Sequence, residues 1–284
     1  LDNQLVLNGG RLFVAAGKTL TINQINPAML VTRGEFAVDG DLLVGSPAGG
    51  VQASGTAVFS GVGAIDPVVT VAGGTASTEV GSTLDFTAVF VNAGATFTLN
   101  GGAVFSGATT VNGSLDAAAS STFNGAVVVS STGVFTVSGG ATVAATAATP
   151  SITVAGGGAG GQVVVDVGGT LTATNDAQAT AGGEYAIAGT LDVGASVLDL
   201  DASLLSGAGS VLGAGGVDGS AGASTVSFTG SIAGVLQATG GTLTITGTPS
   251  AGSVAVQAGA TLAVTGTVST TGDVDVSGSG VLNG

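Results

Sequence analysis

The sequence predicts an all-β fold: a parallel β-helix, or β-solenoid, with turns of about 20 residues. Three observations predict it. The composition is rich in Gly, Thr and Val, apolar and polar residues alternate within short segments, and a nearly constant spacing recurs along the chain. Long helices are disfavoured, because they need Leu, Glu, Lys, Arg or Gln in quantity and the chain has three Lys and Arg together.

The composition indicates a thin core. The chain has 284 residues, of which 44% are hydrophobic and 53 are Gly, without the strict triplet period of collagen. The apolar residues are mostly small, since Val, Ala, Leu and Ile stand beside ten Phe, one Tyr and no Trp. Aromatic side chains contribute most to a thick globular core. We therefore expect an interior of stacked aliphatic side chains, one or two side chains across.

Alternation within the repeated segments predicts half-buried strands. In TLTIN, Leu20 and Ile22 point one way while Thr19 and Thr21 point the other. The segment VNAGATFTLNG at 91–101 returns as VQAGATLAVTG at 256–266. A strand that recurs with few changes indicates a rod or an extended surface more than a unique catalytic centre.

Proline spacing gives the period. Pro27, Pro47 and Pro67 follow one another at equal intervals of twenty positions, and the separation of 99 between Pro150 and Pro249 is close to five such intervals. Stacked turns lie about 4.8 Å apart, so roughly fourteen turns predict a rod of about 65 Å.

Three Asn-Gly dipeptides support an alternative fold. Asn100-Gly101, Asn112-Gly113 and Asn124-Gly125 recur at intervals of twelve positions. Asn-Gly between strands is a strong hairpin signal, but it also suits a left-handed corner of a solenoid. An antiparallel β-sandwich or meander is therefore the alternative to the solenoid.

The charge distribution divides a single domain, 1–284, into two parts. Arg11, Lys18 and Arg33 make residues 1–33 a cationic N-terminal end, a candidate docking cap. Residues 34–284 form an acidic body with sixteen carboxylates and no Lys or Arg, and the net charge is −14. Without a basic footprint, binding to nucleic acid is not expected. The alternative reading is a solubilising acidic surface with no docking role.

Membrane insertion is not expected, since no apolar run approaches the ~18 residues of a membrane helix. The chain starts at Leu1, and we expect it to be processed or part of a longer chain.

The residue types argue against an enzyme and against a cofactor. The chain has no Cys and no His. Two carboxylate pairs at i and i+2 share a strand face, Asp199 with Asp201 and Asp273 with Asp275. Such a pair could hold Ca²⁺ or act on a sugar. With no cation nearby to complete a catalytic site, a solvated acidic stripe is the preferred interpretation.

A family resemblance rests on three strands: GGTLTITG at 240–247, GATLAVTG at 259–266 and GATFTLNG at 94–101. They resemble the autotransporter-associated β-strand repeat and related passenger regions of bacterial surface proteins. The resemblance touches most of the chain and implies a right-handed parallel β-helix, export from a bacterial cell, and a role in adhesion or in an extracellular fibre. It names no receptor.

The two ends of the chain suggest self-assembly. Val281 to Gly284 reads VLNG, which repeats Val6 to Gly9. Uncovered solenoid ends recruit other strands, so the sequence predicts an extracellular filament subunit that stacks head to tail on copies of itself. The alternative is a segment cut from a longer solenoid. The predicted interface residues are Leu5, Leu7, Arg11, Lys18, Arg33, Asp273, Asp275, Val281 and Leu282.

A second function remains open. A monomeric, passenger-type adhesin stalk would bind glycans or cell surfaces through a lateral loop. The best candidate for that loop runs from Thr174-Asn175-Asp176 to Glu184-Tyr185.

Overall fold

The chain forms an all-β parallel solenoid of about 13 turns. A computed structural model describes residues 5–23, 29–44, 50–148, 150–156 and 160–284, and these contain strands and no helix. Every strand pairing in the described residues is parallel, for example β1 (Leu5–Val14) with β3 (Met29–Val38). The predicted parallel solenoid is confirmed, and the antiparallel sandwich or meander is wrong. The handedness implied by the resemblance stays a prediction.

The strands in chain order are β1 Leu5–Val14, β2 Thr19–Ile22, β3 Met29–Val38, β4 Asp41–Val44, β5 Gly50–Ser60, β6 Ala64–Ile65, β7 Val68–Val71, β8 Thr75–Thr78, β9 Thr83–Phe86, β10 Val89–Val91, β11 Thr96–Leu99, β12 Gly102–Phe105, β13 Thr109–Val111, β14 Ser114–Ala117, β15 Ser121–Phe123, β16 Val127–Val129, β17 Val134–Val137, β18 Thr142–Ala145, β19 Ile152–Ala155, β20 Gln162–Val165, β21 Thr170–Ala173, β22 Ala177–Thr180, β23 Glu184–Ile187, β24 Thr190–Asp192, β25 Leu198–Asp201, β26 Leu204–Ser206, β27 Ser210–Leu212, β28 Val217–Ala221, β29 Ala223–Val226, β30 Ser231–Ala238, β31 Thr242–Ile245, β32 Ser250–Val256, β33 Thr261–Val264, β34 Ser269–Thr270, β35 Val274–Val276 and β36 Val281–Asn283.

Each turn visits three faces, which we name A, B and C. In one middle turn, β10 lies on face A, β11 on face B and β12 on face C, and each pairs with the third strand before it and the third strand after it. In the first turns, the long strands β1, β3 and β5 cover faces A and B without a break. Near the other end, β30 and β32 cover faces C and A.

The length of a turn is read from one inward row of face A. Residues in register on successive turns are Leu5, Met29, Val51, Val69, Val89, Thr109, Val127, Ile152, Ala177, Leu198, Val217, Leu236, Val254 and Val274. The steps in this row range from eighteen positions, as from Val51 to Val69, to twenty-five, as from Val127 to Ile152. The predicted period is confirmed, and thirteen steps of about 4.8 Å give a rod of about 60 Å.

The Asn-Gly dipeptides lie at corners between parallel strands, so they do not form hairpins. Their spacing of twelve corresponds to two of the three faces of a turn. The three glycines do not have a left-handed φ. Instead, a Cβ on Gly101 or Gly113 would lie 2.2 Å from a backbone oxygen of the preceding turn, and one on Gly125 would lie 2.0 Å from such an oxygen. Glycine is required there because a Cβ would clash with the preceding turn, and not because the backbone has a left-handed φ.

The prolines mark two different corners. Pro67 and Pro150 each lie two residues before an inward residue of face A, Val69 and Ile152, whereas Pro249 comes directly before β32, at the start of its face C segment. The distance from Pro150 to Pro249 is therefore not a whole number of turns. Pro27 and Pro47 lie outside the described residues.

The core contains the predicted aliphatic rows together with an aromatic column. Eight of the ten phenylalanines are fully buried: Phe36, Phe59, Phe86, Phe97, Phe105, Phe123, Phe135 and Phe228. On face C, Phe86, Phe105 and Phe123 are in register on three turns, with ring centroids 5.3 and 4.3 Å apart. Because the period-two pattern places these rings inward, they pack in the core along the solenoid axis.

Candidate functional site: the two ends of the solenoid

The last turn exposes side chains whose counterparts in the inner turns are buried. Val274 and Val276 are inward residues of face A on β35, and they are 51% and 42% exposed. Leu282 on β36 is in register with the buried Leu262 and is 44% exposed. Their predecessors are covered by the next turn, and in the described residues no further strand covers these three.

Val274 and Leu282 line an open apolar cavity of about 430 Å³. Val264 and Val268 also contribute to its apolar walls, and Thr270 and Asn283 contribute polar side chains. Water in such a cavity contacts mostly hydrocarbon, which is unfavourable for the free energy of the isolated chain. The last turn is therefore a surface that another apolar turn would complete.

The first turn presents apolar residues in the same rows. Leu5 begins the row that ends at Val274, and both Leu5 and Leu7 pack against the core while only partly buried. Residues 1–4 lie outside the described residues. The row of Leu7 continues through Val31, Ala53, Val71, Val91, Val111, Val129, Val154, Ala179, Leu200, Gly219, Ala238, Val256 and Val276.

The asparagines of the two VLNG segments lie in one row. Asn8 is connected in register to Asn283 through Arg33, Thr56, Thr75, Thr96, Ser114, Val134, Gln162, Glu184, Leu204, Thr225, Thr244 and Ala263. A second copy placed after the last turn would therefore bring Asn8 onto Asn283. The registers of the other residues differ, because Val281 and Leu282 follow a corner that the long strand β1 lacks.

The charged interface candidates do not face one another in such a stack. Arg11 already forms an ion pair with Glu35 one turn away, with Nε and Oε1 3.0 Å apart, and its guanidinium lies 5.3 Å from the ring centroid of Phe13. Asp275 lies on the outward side of face A, in the row that begins at Val6. Arg11 lies on face B.

The remaining charged candidates lie at or near corners of the turns. Lys18 is exposed in the loop between β1 and β2, and Arg33 is exposed within β3. Asp273 is exposed just before β35. These positions give no direct cation–carboxylate pair across the two ends, so apolar rows are the stronger basis for a contact.

Ca²⁺ binding by the acidic pairs stays a prediction, since neither pair is part of a larger group of possible ligands in the described residues. Among the described residues, no group of three or more His, Cys, Asp or Glu side chains could hold a metal ion. Asp199 and Asp201 lie two residues apart on β25, but the carboxylate in register with Asp199 belongs to Asp218 on the next turn. We assign no metal ligands.

The lateral loop predicted for an adhesin exposes Thr174, Ala181 and Gly182 but not its aromatic residue. Tyr185, its aromatic residue, is fully buried in the core, so its predicted place in an exposed binding loop is wrong. Nearby, a groove of about 520 Å³ is lined by Gln162 and Glu184 among others. Both Glu184 oxygens are already occupied: Gln162 Nε2 donates to Oε2 at 2.7 Å and Ser206 Oγ to Oε1 at 2.5 Å.

A row of hydroxyl groups on face C was not anticipated from the sequence. Thr170, Thr190, Ser210, Ser231, Ser250 and Ser269 belong to consecutive turns. Ser231 Oγ donates to Ser210 Oγ at 3.0 Å. Its steps of 19 to 21 positions match the period of the sequence, but the structure is needed to show that the hydroxyl groups lie on one face.

The chain as a whole matches no protein-family model, no curated protein and no solved structure. In the described part of the chain, no helix is long and apolar enough to cross a membrane.

Proposed function

We propose that the protein is a structural subunit of an extracellular filament and assembles head to tail with copies of itself. One observation carries the proposal: the two inward rows of face A end in exposed valines, Val274 and Val276, at one tip and begin at Leu5 and Leu7 at the other. The same rows that form the core inside one chain would then continue from one chain into the next.

Stacking would combine two kinds of contact. The free edge of β35 would pair in parallel with the face A part of β1 of the next copy, which adds backbone hydrogen bonds. Val274 would lie over Leu5 and Val276 over Leu7. A contact between two different surfaces does not close on itself, so it propagates as a filament.

The apolar part of this contact is modest. Completing the burial of three half-exposed side chains, Val274, Val276 and Leu282, contributes roughly 1 kcal/mol each. Association itself costs an estimated 4–15 kcal/mol. Backbone pairing must supply the difference, so we expect assembly to depend strongly on protein concentration.

Imaging tests the proposal. We expect purified protein to form single rods of about 60 Å when dilute and longer filaments of the same width when concentrated. Negative-stain electron microscopy and sedimentation velocity would measure the two populations. Rods that remain single at every concentration would refute head-to-tail assembly.

A matched pair of variants locates the contact. Val276→Asp places a carboxylate at the tip, and Val128→Asp places one on the outward side of face A in the middle of the rod. The two valines have similar exposure, 42% and 36%. We expect Val276→Asp to abolish filaments and Val128→Asp to leave them intact. Equal loss in both variants would mean that filaments grow by lateral contacts.

The extracellular location and the bacterial origin are part of the same proposal and are supported by the resemblance of the repeated strands. Absence of catalysis also stays a prediction, supported by the lack of Cys and His and by the lack of Lys and Arg after Arg33. The adhesin alternative has no comparable support, because Tyr185 is buried and Glu184 is occupied within the chain.

A further inference from the structure

Two carboxylates are stacked on neighbouring turns of face A. Asp199 on β25 and Asp218 on β28 are in register and point outward. Strands of successive turns lie about 4.8 Å apart, so the two carboxyl groups are direct neighbours. Gln178 precedes them in the row and Gln237 follows. The row thus reads Gln, Asp, Asp, Gln over four turns.

Hydrogen-bond donors lie within reach of three of the four carboxyl oxygens, and the single Thr239 hydroxyl proton is shared between two of them. Gln178 Nε2 lies 3.2 Å from Asp199 Oδ2. Thr239 Oγ1 lies 2.9 and 2.8 Å from the two oxygens of Asp218. Asp199 Oδ1 is buried from solvent and has no hydrogen-bond donor. A buried acceptor without a donor is unfavourable, and more so when it carries charge.

No cationic side chain is available to neutralise Asp199 and Asp218, because the chain has no Lys or Arg after Arg33. The strand on one side, β22, contributes Gln178 and Thr180, and the strand on the other side, β30, contributes Gln237. The other titratable group on β25 is Asp201, which lies two residues after Asp199 on the same outward side of the strand.

One more carboxylate lies nearby, at the corner that leads into β22. Asp176 Oδ1 there accepts a hydrogen bond from the backbone N–H of Val197 at 3.3 Å. Negative charge therefore dominates this part of face A.

The pKa of Asp218 is raised above its ordinary value. Burial of the carboxyl is the largest cause, and the neighbouring Asp199 carboxylate raises it further, while hydrogen bonds from Thr239 and Gln237 oppose the shift. The neutral acid is therefore favoured at this position more than in an exposed Asp.

We propose that Asp199 and Asp218 share one proton, which Asp218 takes up from solvent and donates to Asp199 Oδ1, so that the two turns are joined by an acid–carboxylate hydrogen bond at mildly acidic pH. The proton provides the donor that Asp199 Oδ1 lacks. At neutral pH, loss of the proton leaves two adjacent carboxylates that repel each other. The pair is thus a pH-sensitive connection between turns, independent of filament assembly.

The sign of the pH effect follows from proton binding. The folded chain holds the proton more tightly than the unfolded chain, where an Asp has a pKa of about 3.9. The added stability is therefore complete below that value and is lost as pH rises through the raised pKa of Asp218. Carboxylates that are ion-paired in the folded state have the opposite dependence.

Asp218→Asn and Asp116→Asn form a matched test. Asp116 also accepts a hydroxyl hydrogen bond from the next turn, from Ser138 Oγ at 2.7 Å, but its neighbours in register are Thr98 and Thr136. Both variants remove one charge from a chain of net charge −14. They differ in whether a second carboxylate is adjacent.

We expect Asp218→Asn to raise the melting temperature near neutral pH by about 2 °C or more, because the amide donates to Asp199 without repelling it. The gain should shrink as pH falls through the raised pKa of Asp218 and vanish below the unfolded Asp pKa of about 3.9. Asp116→Asn should give no rise at either pH. Circular dichroism melts across the pH range would measure this.

Two results of these melts would overturn the proposal. An equal rise in both variants would show a general relief of negative charge. A rise of the wild-type melting temperature with millimolar Ca²⁺ at neutral pH, absent in Asp218→Asn, would show that a cation and not a proton joins the pair. A pH titration of the Asp218 carboxyl carbon by NMR checks the proton directly: a midpoint at the ordinary Asp value would also overturn it.

Discussion

The largest core side chains change from aromatic to mostly aliphatic along the rod, whereas the parallel pairing of the backbone stays the same. Between Phe36 and Phe135, seven fully buried phenylalanines form a connected column, with ring centroids 4.3 to 6.3 Å apart. From Ala141 to Leu262, the large buried side chains are aliphatic apart from Tyr185 and Phe228. Both regions keep in-register parallel pairing, because hydrogen bonds between turns set the pitch and side chains only fill the space within it.

This difference predicts where the rod is most sensitive to substitution. Aromatic rings contact their neighbours on the next turn, so each ring contributes to two or three turns at once. Aliphatic residues in the later region make smaller contacts of the same kind. We therefore expect a gradient of stability, with the aromatic turns as the last to unfold.

The largest effect is expected for Phe105→Ala compared with Leu171→Ala. Phe105 lies between Phe86 and Phe123, and both it and Leu171 are fully buried on face C. Truncating a buried Phe costs about 3–5 kcal/mol, and lost stacking adds about 0.5–1.5 kcal/mol for each ring pair. Chemical denaturation should show a greater loss for Phe105→Ala. Equal losses would mean that the aromatic column packs no better than the aliphatic rows.

Exchanging Tyr and Phe at two positions of one inward row should change the stability less, and in opposite directions at the two positions. Tyr185 and Phe135 lie in the same inward row of face B, two turns apart. The buried Tyr185 hydroxyl has no hydrogen-bond partner, and burial raises the pKa of this phenol, which stays protonated. We expect Tyr185→Phe to stabilise the protein by about 1 kcal/mol, since an unpaired polar atom is removed.

Phe135→Tyr is the control for that exchange. It introduces a hydroxyl into the aromatic region and should destabilise the protein by a similar amount in the same denaturation experiment. Stabilisation by Phe135→Tyr would contradict this, because it would show that a buried hydroxyl in this row finds a hydrogen-bond partner.

The smallest effect concerns the charged first turns. Arg11→Gln removes the ion pair with Glu35, which also accepts a hydrogen bond from Ser60 Oγ at 2.6 Å. Because Arg11 is more than half exposed, we expect a loss well below about 1 kcal/mol that fades at high salt. Melting temperatures at low and high ionic strength would measure it. A large, salt-independent loss would instead assign Arg11 a structural role in the first turns.

Local sequence determined the strand positions and the period. The alternation in TLTIN places Leu20 and Ile22 on one side of β2, and the structure buries Ile22 fully and Leu20 in part. This follows because side chains of a strand alternate between two faces whatever surrounds it.

The tertiary structure decided what the turns bring together. Asn-Gly is compatible with a hairpin and with a corner, and only the backbone of the preceding turn, 2.2 Å from a Cβ on Gly113, selects the corner. Sequence spacing paired Asp199 with Asp201, but the step from Asp199 to Asp218 makes one turn and places those two carboxylates in register.

The sequence determines the sides of each strand but not the contacts between turns, because the length of the turns varies. Residues two apart have a fixed relation within a strand, so the sequence alone gives the inward and outward sides. Residues one turn apart on face A have no fixed separation, as the short step from Val51 to Val69 and the long step from Val127 to Ile152 show. Contacts between turns, including the aromatic column and the Asp199–Asp218 pair, therefore follow only from the folded register.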